Sequence, residues 1–120
     1  MELRFFKYEE FDCPMKPNSG YSHMDRQFLV ALDNARRLSQ LKFKIIEGFK
    51  STDRQRKEGG YKNNPHLIGR AAKIKCSHGN KRYKIVASLL ESGFTRIGLN
   101  PKYIYVDNDD LRPDAIWLEN

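Results

Sequence analysis

His66 is followed by Gly69, by Ala71 and then by Lys73 within the stretch NPHLIGRAAKIKC, residues 64–76. An imidazole with a carboxylate seven positions on would make a plausible zinc-binding pair, but here that position is a lysine. A protonated amine has hydrogens to donate and no lone pair, and it brings positive charge to the place a dication would occupy. Cys76 and His78 stand two apart in CSHGNK, where a turn is expected, and no third ligand accompanies them. In an extended strand Cys76 would face away from Lys73, because odd separations alternate between faces, so Cys76 does not supply the missing carboxylate. Asp107, in YIYVDND, could orient a neighbouring group, but alone it has nothing with which to polarise a peptide carbonyl. Asp109 and Asp110 read as turn or solvating residues, and His23 is isolated. No Ser-His-Asp or Cys-His arrangement and no G-x-S-x-G stands out, and Gly59-Gly60 lacks the Lys-Ser/Thr of a phosphate-binding loop.

These residues need elements to hold them. Phe28, Leu29, Leu32, Ala35 and Leu38 recur at helical spacing and predict a helix over 24–39 with one apolar face, Asp25 near its positive end. FKIIEG, residues 43–48, reads as a buried strand, and STDRQRKE, residues 51–58, as a short capped helix stopped by Gly59-Gly60. A loop is expected at 61–69 and a strand at RAAKIKC, residues 70–76. KRYKIVASLLES, residues 81–92, reads as a second helix with Tyr83, Val86, Ala87 and Leu90 on its apolar face and Gly93 ending it. FTRIGL and KYIYVD are two strands with Asn100-Pro101 turning between them, and AIWLE closes the chain as a last short element. Residues 1–20, with prolines and a turn signal, are expected to be irregular. Strands mixed with two main helices predict an α+β domain: a small antiparallel sheet packed with the helices.

The chain has 120 residues, which suits a single domain over 1–120. Its net charge of +7 favours polyanionic or acidic partners, yet the charge is spread and names none of them. Tyr61, Tyr83, Tyr103 and Tyr105 could stack on bases beside basic residues, but edge tyrosines of a domain explain them more simply, and no nucleic-acid motif accompanies them. A nucleic-acid partner is therefore not favoured. Cys13 and Cys76 read as small buried thiols, with a disulfide between them left open. No apolar run approaches the ~20 residues of a membrane span, and MELRFFKYEEFDCP lacks a signal-peptide core. Synthesis in the cytoplasm is expected, with any route to an envelope passing through lysis, a particle or another export path.

An ordered series of segments carries a resemblance over nearly the whole chain. EEFDCP, FLVALDNARRL, IIEGFKS, GGYKNNPHLIGRAAKIKCS, RYKIVASLLESGFTRIGL and KYIYVDND follow in register with the zinc-dependent peptidoglycan peptidases of the Hedgehog/D,D-peptidase fold. The chain resembles their short single-domain branch of D-Ala-D-Ala carboxypeptidases and L-alanyl-D-glutamate endopeptidases, common in bacteria and phage lysis modules. IIEGFKS takes the place of a strand usually reading S-G-Y-R-S, and KYIYVD that of a strand usually carrying I-H-V-D. In that family zinc is held by a His, an Asp seven residues later and a His on the late strand. The resemblance places these ligands at His66, Lys73 and Tyr105, an arginine for a substrate carboxylate at Lys50, a serine at Asn64 and a retained acid at Asp107.

Only His66 survives of the ligand set, so no cofactor is expected. A catalytic zinc needs about three protein ligands and an open position, and without the metal no water is brought to a pKa near ~7. The resemblance thus implies a catalytically inactive relative acting as a structural or binding component, with a phage or prophage setting and a virion or cell-wall role. Lys50, Asn64, His66, Lys73 and Tyr105 are the candidate binding residues, and a peptidoglycan peptide or an acidic protein surface the candidate partner. Lys73 and Lys50 could form a shallow cationic pocket for a carboxylate, though a lysine lacks arginine's bidentate fork. The competing expectation is an active zinc peptidase with an atypical metal site.

Overall fold

In the computed structural model, which describes residues 3–49 and 69–120, two main helices lie against one face of a five-stranded sheet. The helix expected at 51–58, all but the last residue of the 61–69 loop, and Lys50, Asn64 and His66 lie outside the described residues. The amino-terminal region is less irregular than its prolines suggest. It forms a 3-10 turn, Tyr8–Phe11, and a short helix, α1, Ser19–His23. Asp33, 8% exposed, accepts the backbone N–H groups of Arg4, Phe5 and Phe6 at 3.1, 2.9 and 3.2 Å, which ties this start to the following helix.

That helix is α2, Arg26–Ser39. Asp25 caps it by accepting from Phe28 N at 2.9 Å, which satisfies one of the amides left without a partner in the first turn. Phe28, Leu29, Leu32 and Ala35 are buried as their spacing predicts, while Leu38 at the last turn is exposed. The third helix, α3, Gly79–Glu91, is present where expected but is rotated from the expected face. Ile85, Ser88 and Leu89 are its buried residues, and Tyr83 and Leu90 are exposed. Two apolar stripes run along this helix; Ile85 and Leu89, four residues apart, are buried in the core, and Val86 of the expected face packs against it while only partly buried. Gly93 ends it with φ +97, in the left-handed region, as Phe94 N reaches Leu89 O at 3.1 Å.

The strands are β1 Ile45–Glu47, β2 Ala71–Lys75, β3 Arg96–Leu99, β4 Tyr103–Asp107 and β5 Ala115–Leu118, in spatial order β1-β2-β4-β3-β5. Four of them pair antiparallel, but β5 runs parallel to β3, so the sheet is mixed where an antiparallel one was expected. Connectivity explains the difference. Strand β4 ends at Asp107, opposite the beginning of β3 at Arg96, and Ala115 begins β5 beside that same Arg96. The intervening loop, 108–114, passes the lower end of β3 and turns upward again, which leaves only the parallel direction. Alternation then divides the sheet. Ala72, Ile74, Ile97, Ile104 and Val106 face the helices and form one core with Phe28, Leu29, Leu32, Phe43, Ile85, Leu89 and Phe94. Cys13 and Cys76 join that core as buried thiols.

Candidate functional site

The opposite face of the sheet carries the residues singled out for their chemistry. Lys73 pairs directly with Tyr105 across β2 and β4, Tyr105 with Gly98 across β4 and β3, and Gly98 with Trp117 on β5. Directly opposed residues share a face, their Cβ atoms about 5 Å apart in an antiparallel pair. A row therefore crosses the sheet, and β1 completes it through an irregularity. Ile45 lies opposite Ile74 and Glu47 opposite Lys73, so the register shifts between them. In a regular strand Ile45 and Glu47 would share a face. The bulge instead lets Ile45 pack on the core while Glu47 turns to the side of Lys73.

Lys73 is thereby engaged twice. Its Nζ lies 3.6 Å from Glu47 Oε2 and 4.8 Å from the centre of the Tyr103 ring, an ion pair and a cation–π contact together. Both ends of the ion pair are shielded, the Lys73 side chain 23% and that of Glu47 10% exposed. Tyr105 donates its hydroxyl proton to Asp107 Oδ2 at 2.7 Å. Asp107, fully buried, also accepts on Oδ1 from Arg96 Nε at 2.9 Å and from Asp109 N at 3.0 Å. Arg96 reaches further to Pro113 O and stands 4.9 Å from the Trp117 ring. Burial, then the Asp107 charge and hydrogen bond, drive the Tyr105 pKa far upward, with Arg96 opposing weakly. Tyr103 donates a hydrogen bond from its hydroxyl to Glu119 Oε1 at 3.2 Å, and burial followed by the Glu119 charge and hydrogen bond pushes its pKa up to about 12. Trp117 Nε1 donates to the other oxygen of Glu119 at 2.9 Å. Gly98 makes room for this arrangement, since a Cβ there would lie 2.4 Å from Glu119 Oε2 and 3.0 Å from Trp117 Nε1.

Zinc does not fit the described part of this donor set. Lys73 has no lone pair to give while it is an ammonium, and the acid beside it is committed to it. The Tyr105 oxygen keeps its proton, and a neutral phenol is a poor donor to a dication. Among the described residues no three His, Cys, Asp or Glu side chains gather where they could hold a metal ion. Cys76 sits in the core, its Sγ 3.6 Å from His78 O, and the His78 residue precedes the first turn of α3. His23 stacks on Phe49 at 4.7 Å.

The structure brings Lys73, Tyr105 and Asp107 together, while Lys50, Asn64 and His66 are outside the described residues. It adds Glu47, Arg96, Trp117 and Glu119, none of which was singled out. Arg96 left a trace in the sequence: an arginine within the apolar strand FTRIGL requires a carboxylate partner if it is to be buried. Glu47 left a weaker one, since its meeting with Lys73 depends on the bulge. Asp109 is a turn residue as expected, accepting from Leu111 N at 2.9 Å, although it is 9% exposed rather than solvated. No helix among the described residues is long and apolar enough to cross a membrane. No protein family model and no curated protein matches the chain.

Proposed function

We propose that this chain is a non-catalytic relative of the zinc peptidoglycan peptidases with the Hedgehog/D,D-peptidase fold, working by contact rather than turnover as a wall-binding or structural component of a phage or prophage module. The observation that carries this reading is the Lys73–Tyr105 cross-strand pair. The two positions that the resemblance assigns to zinc ligands on β2 and β4 are direct cross-strand neighbours, close enough for two side chains to share one metal. Both side chains there are occupied with something else: an ammonium bound to Glu47 and a phenol bound to Asp107. Glu47 stands where the family strand usually has serine, so an acid accompanies the lysine that replaces an acid. A metal-activated water is the source of the family's hydrolysis, and this donor set offers it no seat. The Glu47 partnership also makes Lys73 a poor anchor for a substrate carboxylate, which leaves the aromatic side chains of Tyr103, beside Lys73, and Trp117, at the β5 end of the row, as the contact surface.

Metal content and wall lysis test the reading. The purified protein, equilibrated with zinc, is expected to retain far less than an equimolar amount and to leave the turbidity of a cell-wall suspension unchanged. Equimolar zinc together with lysis would overturn it. The double replacement Lys73→Asp with Tyr105→His is expected to gain zinc binding by calorimetry, because it restores two donors on facing strands. Absence of that gain in a folded double variant counts against the shared ancestry of the site. Co-sedimentation with purified sacculi, reduced severalfold by Tyr103→Ala combined with Trp117→Ala, is the result expected of a wall-binding role; no co-sedimentation restricts the protein to assembly.

A further inference from the structure

Strand β5 is the last strand of the sheet, and among the described residues nothing pairs with its outer edge. Ala115 N bonds to Thr95 O at 2.9 Å and Glu119 N to Leu99 O at 2.7 Å. In a parallel ladder alternate residues direct both N–H and C=O to the same side, so Ile116 and Leu118 point theirs outward. Their side chains project to the helix side and are 53% and 85% exposed. Edge strands are commonly blunted by charge, proline or a bulge, and the outward positions of β5 carry none of these. Leu118 also lines an open groove of about 450 Å³ with Leu99, Pro101, Asn100, Ser77 and Arg82.

Charge selects among the possible occupants. Arg82 stands in the groove, held by Asn100 O and Pro101 O, and the exposed Lys81, Lys84 and Lys102 are its neighbours in sequence and across the β3–β4 turn. The acid closest in sequence, Glu119, is turned to the other face by Trp117 and Tyr103. A second copy adding its own β5 in the same direction would bring a like cluster against this one, and the net charge of +7 opposes association of copies in general. An acidic partner meets no such repulsion.

We propose that β5 accepts an extended segment of another protein as an added strand, one with apolar residues at alternate positions and acidic residues at the end that reaches Arg82 and Lys102. The backbone of Ile116 and Leu118 supplies the hydrogen bonds, and their side chains supply the apolar contact. A suitable probe is a short peptide of alternating valine and threonine flanked by glutamates, with a counterpart carrying lysines in place of the glutamates. Binding is followed by emission of Trp117, the single tryptophan, and by amide exchange in the full chain. The glutamate peptide is expected to bind, more weakly as salt rises, and to slow exchange at Ile116 and Leu118 by about tenfold or more, leaving Trp117 N–H unchanged. The lysine peptide is expected not to bind. Ile116→Pro removes an outward N–H at an edge position where proline is tolerated, and is expected to abolish binding with the thermal transition retained. Should that variant not fold, Leu118→Glu serves, removing the apolar contact and repelling the glutamates, and is expected to weaken binding at least tenfold. Lack of binding by the glutamate peptide, equal binding by both peptides, binding undiminished in a folded variant, or protection of the same amides by self-association without peptide each overturns the proposal.

Discussion

Asp107 is the residue on which the polar face is built. Fully buried, it answers a guanidinium, a phenol and a backbone amide. Removing it as Asp107→Ala leaves the buried Arg96 charge without its partner and is expected to cost about 3–5 kcal/mol in denaturant unfolding, the usual range for breaking a buried pair from one side. The tyrosines add a pH dependence whose sign follows from their hydrogen bonds. Tyr103 holds its proton to about 12 against an ordinary 10.0, and Tyr105 is shifted in the same direction. The folded chain therefore binds these protons more tightly than the unfolded chain. For Tyr103 the stability this gives is complete below pH 10 and is lost as pH rises through about 12. Absorbance titration should show late phenolate formation, and Tyr103→Phe should remove the component near 12. From sequence, Asp107 was visible as an acid of the late strand, but the identity of its partners was not. Arg96 is eleven residues away along the chain and meets Asp107 only through the β3–β4 pairing.

Two local features of the strands decide what those residues can reach. The bulge in β1 sends Glu47 to the Lys73 side, and the absent side chain at Gly98 lets Trp117 and Glu119 close over the middle of the row. Gly98→Ala is expected to force that pair outward, lowering stability by about 1–3 kcal/mol as over-packing does and shifting Trp117 emission. Strand identity was legible here because apolar alternation and turn residues bracket β2, β3 and β4. The bulge was not, since nothing in FKIIEG marks which residue is extra. The face of α3 misled for a related reason. Tyr83, Val86, Ala87 and Leu90 form as regular a stripe as Ile85 and Leu89, and only the packed neighbours choose between them.

The molecule as a whole places its polar chemistry and its two cysteines in separate compartments. Lys73 and Tyr105 lie on one side of the sheet, Cys13 and Cys76 within the core on the other. Both thiols are buried, so a thiol reagent is expected to react with neither in the native protein and with both after unfolding, and a reductant should leave the unfolding temperature unchanged. The α+β composition was legible because the helical and strand periods differ. The parallel placement of β5 was not, because direction in a sheet depends on where a loop passes rather than on the strand's own residues. One further feature governs how the described parts are joined. Phe49 stacks on His23, and Gly69, at φ +71, lies so close to His23 and Met24 that a Cβ would come within 2.1 Å of the His23 carbonyl oxygen. The chain thus leaves β1 and re-enters β2 through two gateposts set on the same short junction between α1 and α2. Both posts rest on that one junction, so a substitution that displaces it is felt at the end of β1 and at the start of β2 together.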